Sequence, residues 1–157
     1  MKQSRRNILK ASATVAAAAG GAAALATGAK AQGKMEKRSP YPPPANPPAG
    51  KPMFSSAVAY GNMIFLAGVG YHQPGTIEEH TKHVIEELEQ NLIRAGSSLQ
   101  KVLKVSVFLN DLKDYDRMNA VYRAFDWGAV PPVRTTVSPA AGIPGNSLIE
   151  IDMIAYI

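Results

Sequence analysis

The chain contains no cysteine. That excludes disulfides, thiolate nucleophiles and cysteine-bound zinc or iron–sulfur centres. Stability must therefore come from a packed core or from oligomerisation. A long, strongly apolar run is missing too. Residues 11–28 are weakly apolar, being mostly Ala and Gly, whereas a membrane span wants about 20 strongly apolar residues. Beyond the first 31 residues there is also no net charge. That leader holds the bases Lys2, Arg5, Arg6, Lys10 and Lys30 and no acid, so 17 − 5 = 12 bases remain against 12 acids. The formal charge of +5 thus belongs to the leader, and the electrostatic case for nucleic-acid binding goes with it.

Residues 1–31 combine a charged start, a weakly apolar centre and the small-residue sequence Ala29-Lys30-Ala31. This reads as a signal peptide cleaved near Ala31. The adjacent Arg5 and Arg6, followed by Ile8, Leu9 and Lys10, resemble a twin-arginine export signal, which implies a periplasmic protein without a membrane span in its mature part. Residues 32–52 include SPYPPPANPPAGKP, which suits an extended, polyproline-type linker. The remaining residues, 53–157, form one domain.

Within that domain, two β-rich runs in 54–70 flank Gly61-Asn62, a hairpin turn signal. Residues 72–76 read as loop. A helix is predicted over 77–95, with Val84, Ile85, Leu88, Leu92 and Ile93 on its apolar face. Thr76 and Glu79 have capping-box spacing, and Gly96 suits the stop. The run VLKVSVFLN (102–110) predicts a strand with Leu103, Val105, Val107 and Leu109 on one face. A second helix over 115–125 turns Met118, Val121, Tyr122 and Phe125 inward. Strands over 133–138 and 147–157 complete the order β-β-α-β-α-β-β, an α+β arrangement with two helices on one face of a mixed sheet. The other sheet face carries enough apolar residues to be buried against copies of the chain.

Arg134 lies in PPVRTTV (131–137). Alternation puts Arg134, Thr136 and Ser138 on one face of that strand. In the last strand, Glu150 and Asp152 share the face opposite Ile149, Ile151 and Met153. If the two polar faces meet, one cation and two carboxylates converge, either as a structural ion pair or as a site. His72, His80, His83 and Glu79 offer metal-ligating types, but their spacing matches no catalytic pattern and reads as a solvated helix face.

GNMIFLAG (61–68), NLIRAGSSLQKVLKVSVFLNDLKDYDRMNAVYRAF (91–125), PPVRTTV and IEIDMIAYI (149–157) together resemble the Rid family, also called the YjgF family of imine/enamine deaminases. The resemblance covers residues 53–157. It implies a chorismate-mutase-like fold and a homotrimer with a cleft at each subunit interface. It also implies that Arg134 binds a substrate carboxylate and that Glu150 positions and activates water. Asn119 of the N-x-x-Y signature and Thr136 become cleft residues, and no metal or organic cofactor is needed. Three features depart from the pattern. Phe54 stands where deaminases often carry Tyr, Ala67 stands where they often carry Ser, and the loop around Gly70 to Thr76 is shorter than usual. These changes leave the arginine–acid pair intact and leave the side-chain pocket, and so the substrate, open.

Three functions follow. The first is hydrolysis of 2-imino or 2-enamino acids to 2-oxo acids and ammonia. The second is non-catalytic binding of small carboxylates. The third is RNA cleavage, which the neutral charge of residues 32–157 disfavours.

Overall fold

A tight turn at Gly61 and Asn62 starts the sheet. Gly61 has φ +58°, a left-handed conformation that costs glycine little. In the computed structural model, which describes residues 35–47 and 49–157, this turn joins β2 (Ala57–Tyr60) to β3 (Met63–Gly70). The predicted leader, including its cleavage point, lies outside the described residues. A two-residue strand, β1 (Lys37–Arg38), pairs with β2. Part of the proline-rich 32–52 stretch is thus hydrogen-bonded to the sheet edge.

Helix α1 (Ile77–Arg94) begins at the predicted capping box. The Glu79 N–H donates to Thr76 Oγ1 at 3.3 Å, and the Thr76 N–H donates to Glu79 Oε2 at 2.7 Å. Two of the helix's unpaired N–H groups are satisfied this way. Gly96, at φ +81°, ends it. Val84, Ile85, Leu88 and Leu92 are buried as the periodicity predicts, but Ile93 is exposed. One residue beyond Leu92 it has already rotated about 100° around the helix axis.

Strand β4 (Val102–Leu109) runs antiparallel to β6 (Ile149–Tyr156) and parallel to β5 (Val133–Val137). Strand β6 in turn pairs with β3, so the order across the sheet is β1-β2-β3-β6-β4-β5. The predicted inward face of β4 needs one correction. Leu103 is exposed and Val102 is buried, because the register between β4 and β6 shifts between Val102 and Lys104. A bulge of this kind inverts the alternation locally. From Val105 onward the prediction holds.

Helix α2 (Tyr115–Tyr122) is shorter than predicted, and only Met118 on it is fully buried. Both helices lie on one face of the sheet. Ile149, Ile151, Met153 and Ala155 of β6 meet them across a core that includes Ile64, Leu66, Val105, Val107 and Leu109. The opposite face presents Phe65, Phe108, Glu150, Asp152 and Ile154, partly or fully exposed within one chain. Among the described residues, no helix is long and apolar enough to cross a membrane.

Candidate functional site

Register fixes the face on which Arg134 stands. Arg134 pairs with Val105 and Thr136 with Val107. Both valines are buried under the helices. Aligned residues of adjacent strands share a face, so Arg134 and Thr136 point to the helix side. Strand β5 is the outermost strand, which tolerates Pro131 and Pro132 just before it.

The guanidinium is half-buried and held by α2. Its Nη2 donates to Asn119 Oδ1 at 2.7 Å. Its carbon sits 4.6 Å from the centroid of the Tyr122 ring and 5.9 Å from that of Tyr115. Such cation–π contacts favour Arg because its planar cation is weakly hydrated. Arg134 forms no ion pair with any described carboxylate. Among the described residues, Asn119 is the one side chain that accepts a hydrogen bond from this guanidinium.

The Tyr122 ring also stacks on Trp127, with centroids 4.4 Å apart and planes inclined by 18°. The Trp127 indole N–H donates to the Tyr122 carbonyl at 2.9 Å. The Tyr122 hydroxyl is buried without a hydrogen-bond partner. Burial pushes its pKa up to about 12, against a smaller opposing effect of Arg134. Asp126 is pulled below the usual carboxylate range, first by the Gly128 N–H and then by the Gln100 amide, both at 2.9 Å. These groups border a cavity of about 440 Å³ between α2 and β5.

Glu150 stands elsewhere. It alternates with the buried Ile149 and Ile151, so it faces the side of the sheet without helices. The expected convergence of Arg134 with Glu150 does not occur within one chain. Two strand spacings and about three residues separate their backbones, roughly 14 Å, and their side chains leave opposite faces. The Glu150 carboxyl lies over Gly68, where any Cβ would collide with it. Gly68 falls in the register shift between Leu66 and Val69, a bulge that re-aims the strand. Phe54 is 74% exposed, and with Ala67 and Gly68 it lines a separate cavity of about 500 Å³. The sequence-predicted residues therefore form two groups. Arg134, Asn119 and Thr136 belong to the helix side at β5. Phe54 and Ala67 border Gly68, which carries Glu150 above it.

His80 corrects another expectation. It is 1% exposed rather than solvated. Its Nδ1 accepts the Leu148 N–H at 3.2 Å, and its ring meets Tyr71 edge-on at 5.0 Å. Ser147, also buried, accepts the Tyr71 N–H at 2.9 Å and donates to the Ile149 carbonyl at 2.6 Å. His80 and Ser147 thus fix the chain just before Glu150. No group of three metal-ligating side chains gathers among the described residues.

Sequence reasoning missed the Arg134–Tyr122–Trp127 stack, the buried pair His80 and Ser147, and Gly68 beneath Glu150. Only the glycine left a readable signal. Inside a strand, glycine often marks a close approach.

Comparison with known proteins adds a family. The profile described as Endoribonuclease L-PSP matches residues 45–157. A RutC family protein of Pyrococcus abyssi is 41% identical over 110 residues, covering 66% of this chain and 85% of the relative. Reactive Intermediate Deaminase A, chloroplastic, of Arabidopsis thaliana is 31% identical, covering 69% of this chain and 60% of that protein. A crystal structure from Neisseria meningitidis, described as a member of the YjgF protein family, superposes with a TM-score of 0.65. It is 28% identical and covers 78% of this chain and 95% of its own.

Proposed function

Because the chain belongs to the L-PSP endoribonuclease family, which takes in the RutC, YjgF and Rid proteins, we propose that it hydrolyses reactive 2-imino or 2-enamino acids to 2-oxo acids and ammonia. One observation carries this reading. Arg134 is half-buried, clamped by Asn119 and Tyr122, and without a carboxylate partner among the described residues. A planar guanidinium in that state is pre-set for two parallel hydrogen bonds to a substrate carboxylate. The deaminase from Arabidopsis supports the reaction class at the level of the family.

The cleft we propose lies between copies. Arg134 and Glu150 leave opposite faces of one sheet, so they meet only if a second chain supplies one of them. A homotrimer does so three times, when the edge strand β5 of one chain, with Arg134 at its border, meets the helix-free face of the next. In each cleft Arg134 holds the carboxylate of the imino acid, while Asn119 and Thr136 border it. Glu150 of the partner subunit takes a proton from water as the water oxygen bonds to the imine carbon. The carboxyl group passes that proton to the imine nitrogen, which gives the carbinolamine and restores the base. The carboxylate then takes the carbinolamine hydroxyl proton as the C=O forms and the C–N bond breaks, and it delivers this proton to the departing nitrogen, so that ammonia leaves and the base is restored. Pre-orientation of carboxylate and water supplies several kcal/mol of the barrier reduction.

The test is coupled turnover with 2-iminopropanoate or 2-iminobutanoate generated in situ. The wild type accelerates imine loss over free hydrolysis. Arg134→Ala raises KM, and Glu150→Gln lowers kcat by about 10²-fold or more. A second reading, carboxylate binding without turnover, has one observation in its favour: Phe54 and Ala67 themselves bring no hydroxyl to the cavity they line. It prevails if the wild type is no faster than free hydrolysis while propanoate still raises the melting temperature. Export of the folded protein to the periplasm by residues 1–31 belongs to the same proposal.

A further inference from the structure

The cavity beside Arg134 has more room than a three-carbon acid needs. Its volume of about 440 Å³ falls in the range of pockets that enclose larger ligands. Its walls differ in character. Arg134 and Asn119 make a polar end, and Tyr122, Phe125, Trp127 and Pro131 supply apolar surface, with the charged Arg123 and Asp126 between them in the chain.

That apolar surface is rigid. Trp127 is 6% exposed, stacked on Tyr122 and tied to the Tyr122 carbonyl through its indole N–H. The guanidinium carbon lies 4.6 Å from the centroid of the same Tyr122 ring. One aromatic ring therefore contacts both the cation and the indole. Just past Trp127, Gly128 turns the chain at φ +77°, and a Cβ there would press on Gln100 at 3.3 Å. The turn keeps the indole against the cavity.

We propose that this cavity is the side-chain subsite of the carboxylate site, and that it selects acids bearing a flat, aryl or conjugated substituent over short alkyl acids. Trp127 is its specificity-determining residue. The assignment rests on the reading of Arg134 as the carboxylate anchor. Ring-on-ring contact gains energy beyond the area it buries, which a methyl or ethyl group cannot match.

Trp127 is the chain's only tryptophan, so its fluorescence reports on this wall alone. The probes are 3-phenylpropanoate, propanoate and the uncharged 3-phenylpropanol, titrated into the full chain by fluorescence and by calorimetry. The expected result is that 3-phenylpropanoate quenches Trp127 and binds at least tenfold more tightly than propanoate, while the alcohol binds weakly. In Trp127→Leu the preference between the two acids falls below threefold with propanoate binding retained, and Trp127→Phe restores part of it. Equal affinity for the two acids in the wild type overturns the subsite and leaves the anchor standing, whether or not any variant folds. A preference that survives Trp127→Leu does the same. If the wild type binds neither acid, the subsite and the anchor fall together.

Discussion

At the scale of single residues, Tyr122 carries an unusual load. Its ring contacts both the guanidinium and the indole, yet its hydroxyl is buried and has no hydrogen-bond partner among the described residues. An unsatisfied buried hydroxyl costs free energy that phenylalanine avoids. Tyr122→Phe is expected to leave stability at pH 7 unchanged or raise it by up to about 1 kcal/mol. The sign of its pH dependence follows from burial. The folded-state pKa is raised to about 12, above about 10 for an unfolded tyrosine. The fold favours the protonated phenol, so this contribution is intact below pH 10 and is lost as pH rises toward 12. Urea denaturation across that window should show a steeper alkaline loss in the wild type than in Tyr122→Phe. Tyr41, which burial also raises, is present in both proteins and cancels in the difference. Arg134 itself was legible in the sequence, as a cation in a short β-rich run after two prolines. Its surroundings were not. They depend on α2 stopping at Tyr122, three residues earlier than its apolar spacing suggests.

At the scale of elements, legibility followed locality. The start of α1 was readable because Thr76 and Glu79 satisfy each other within four residues. Thr76→Ala should cost about 1 kcal/mol of unfolding free energy, measured by chemical denaturation, with the sheet unchanged by circular dichroism. The face of β4 was misread at Leu103 because its bulge arises against β6, about fifty residues away in the chain. Strand β1 escaped notice because two residues in a proline-rich stretch carry no period. His80 was misplaced because its partner, the Leu148 N–H, is a backbone group that no side-chain pattern reveals. Each miss is a case of tertiary pairing overriding a local signal.

At the scale of the whole molecule, the helix-free sheet face is the one left uncovered within a single chain. Phe65, Phe108 and Ile154 stand on it beside Glu150 and Asp152. Apolar residues on a face with no covering layer point to association. If each cleft borrows Arg134 from one chain and Glu150 from the next, two inactive variants complement each other. Co-expressing Arg134→Ala with Glu150→Gln in equal amounts and purifying the whole trimer population should restore about a quarter of wild-type turnover. In a cyclic trimer assembled at random, about one cleft in four draws both sound residues. Separately purified variants stay at background. Recovery no greater than the sum of the two variants alone would place both groups on a single chain, or remove them from the chemistry.

The placement of Arg134 and Glu150 on opposite faces also bears on inheritance. In a cell carrying two damaged copies of this gene, one lesion at each position would leave some working clefts, whereas two lesions at the same position would leave none. Genetic crosses between independent mutants would then sort them into two complementing classes, and each class would map to one face of the sheet.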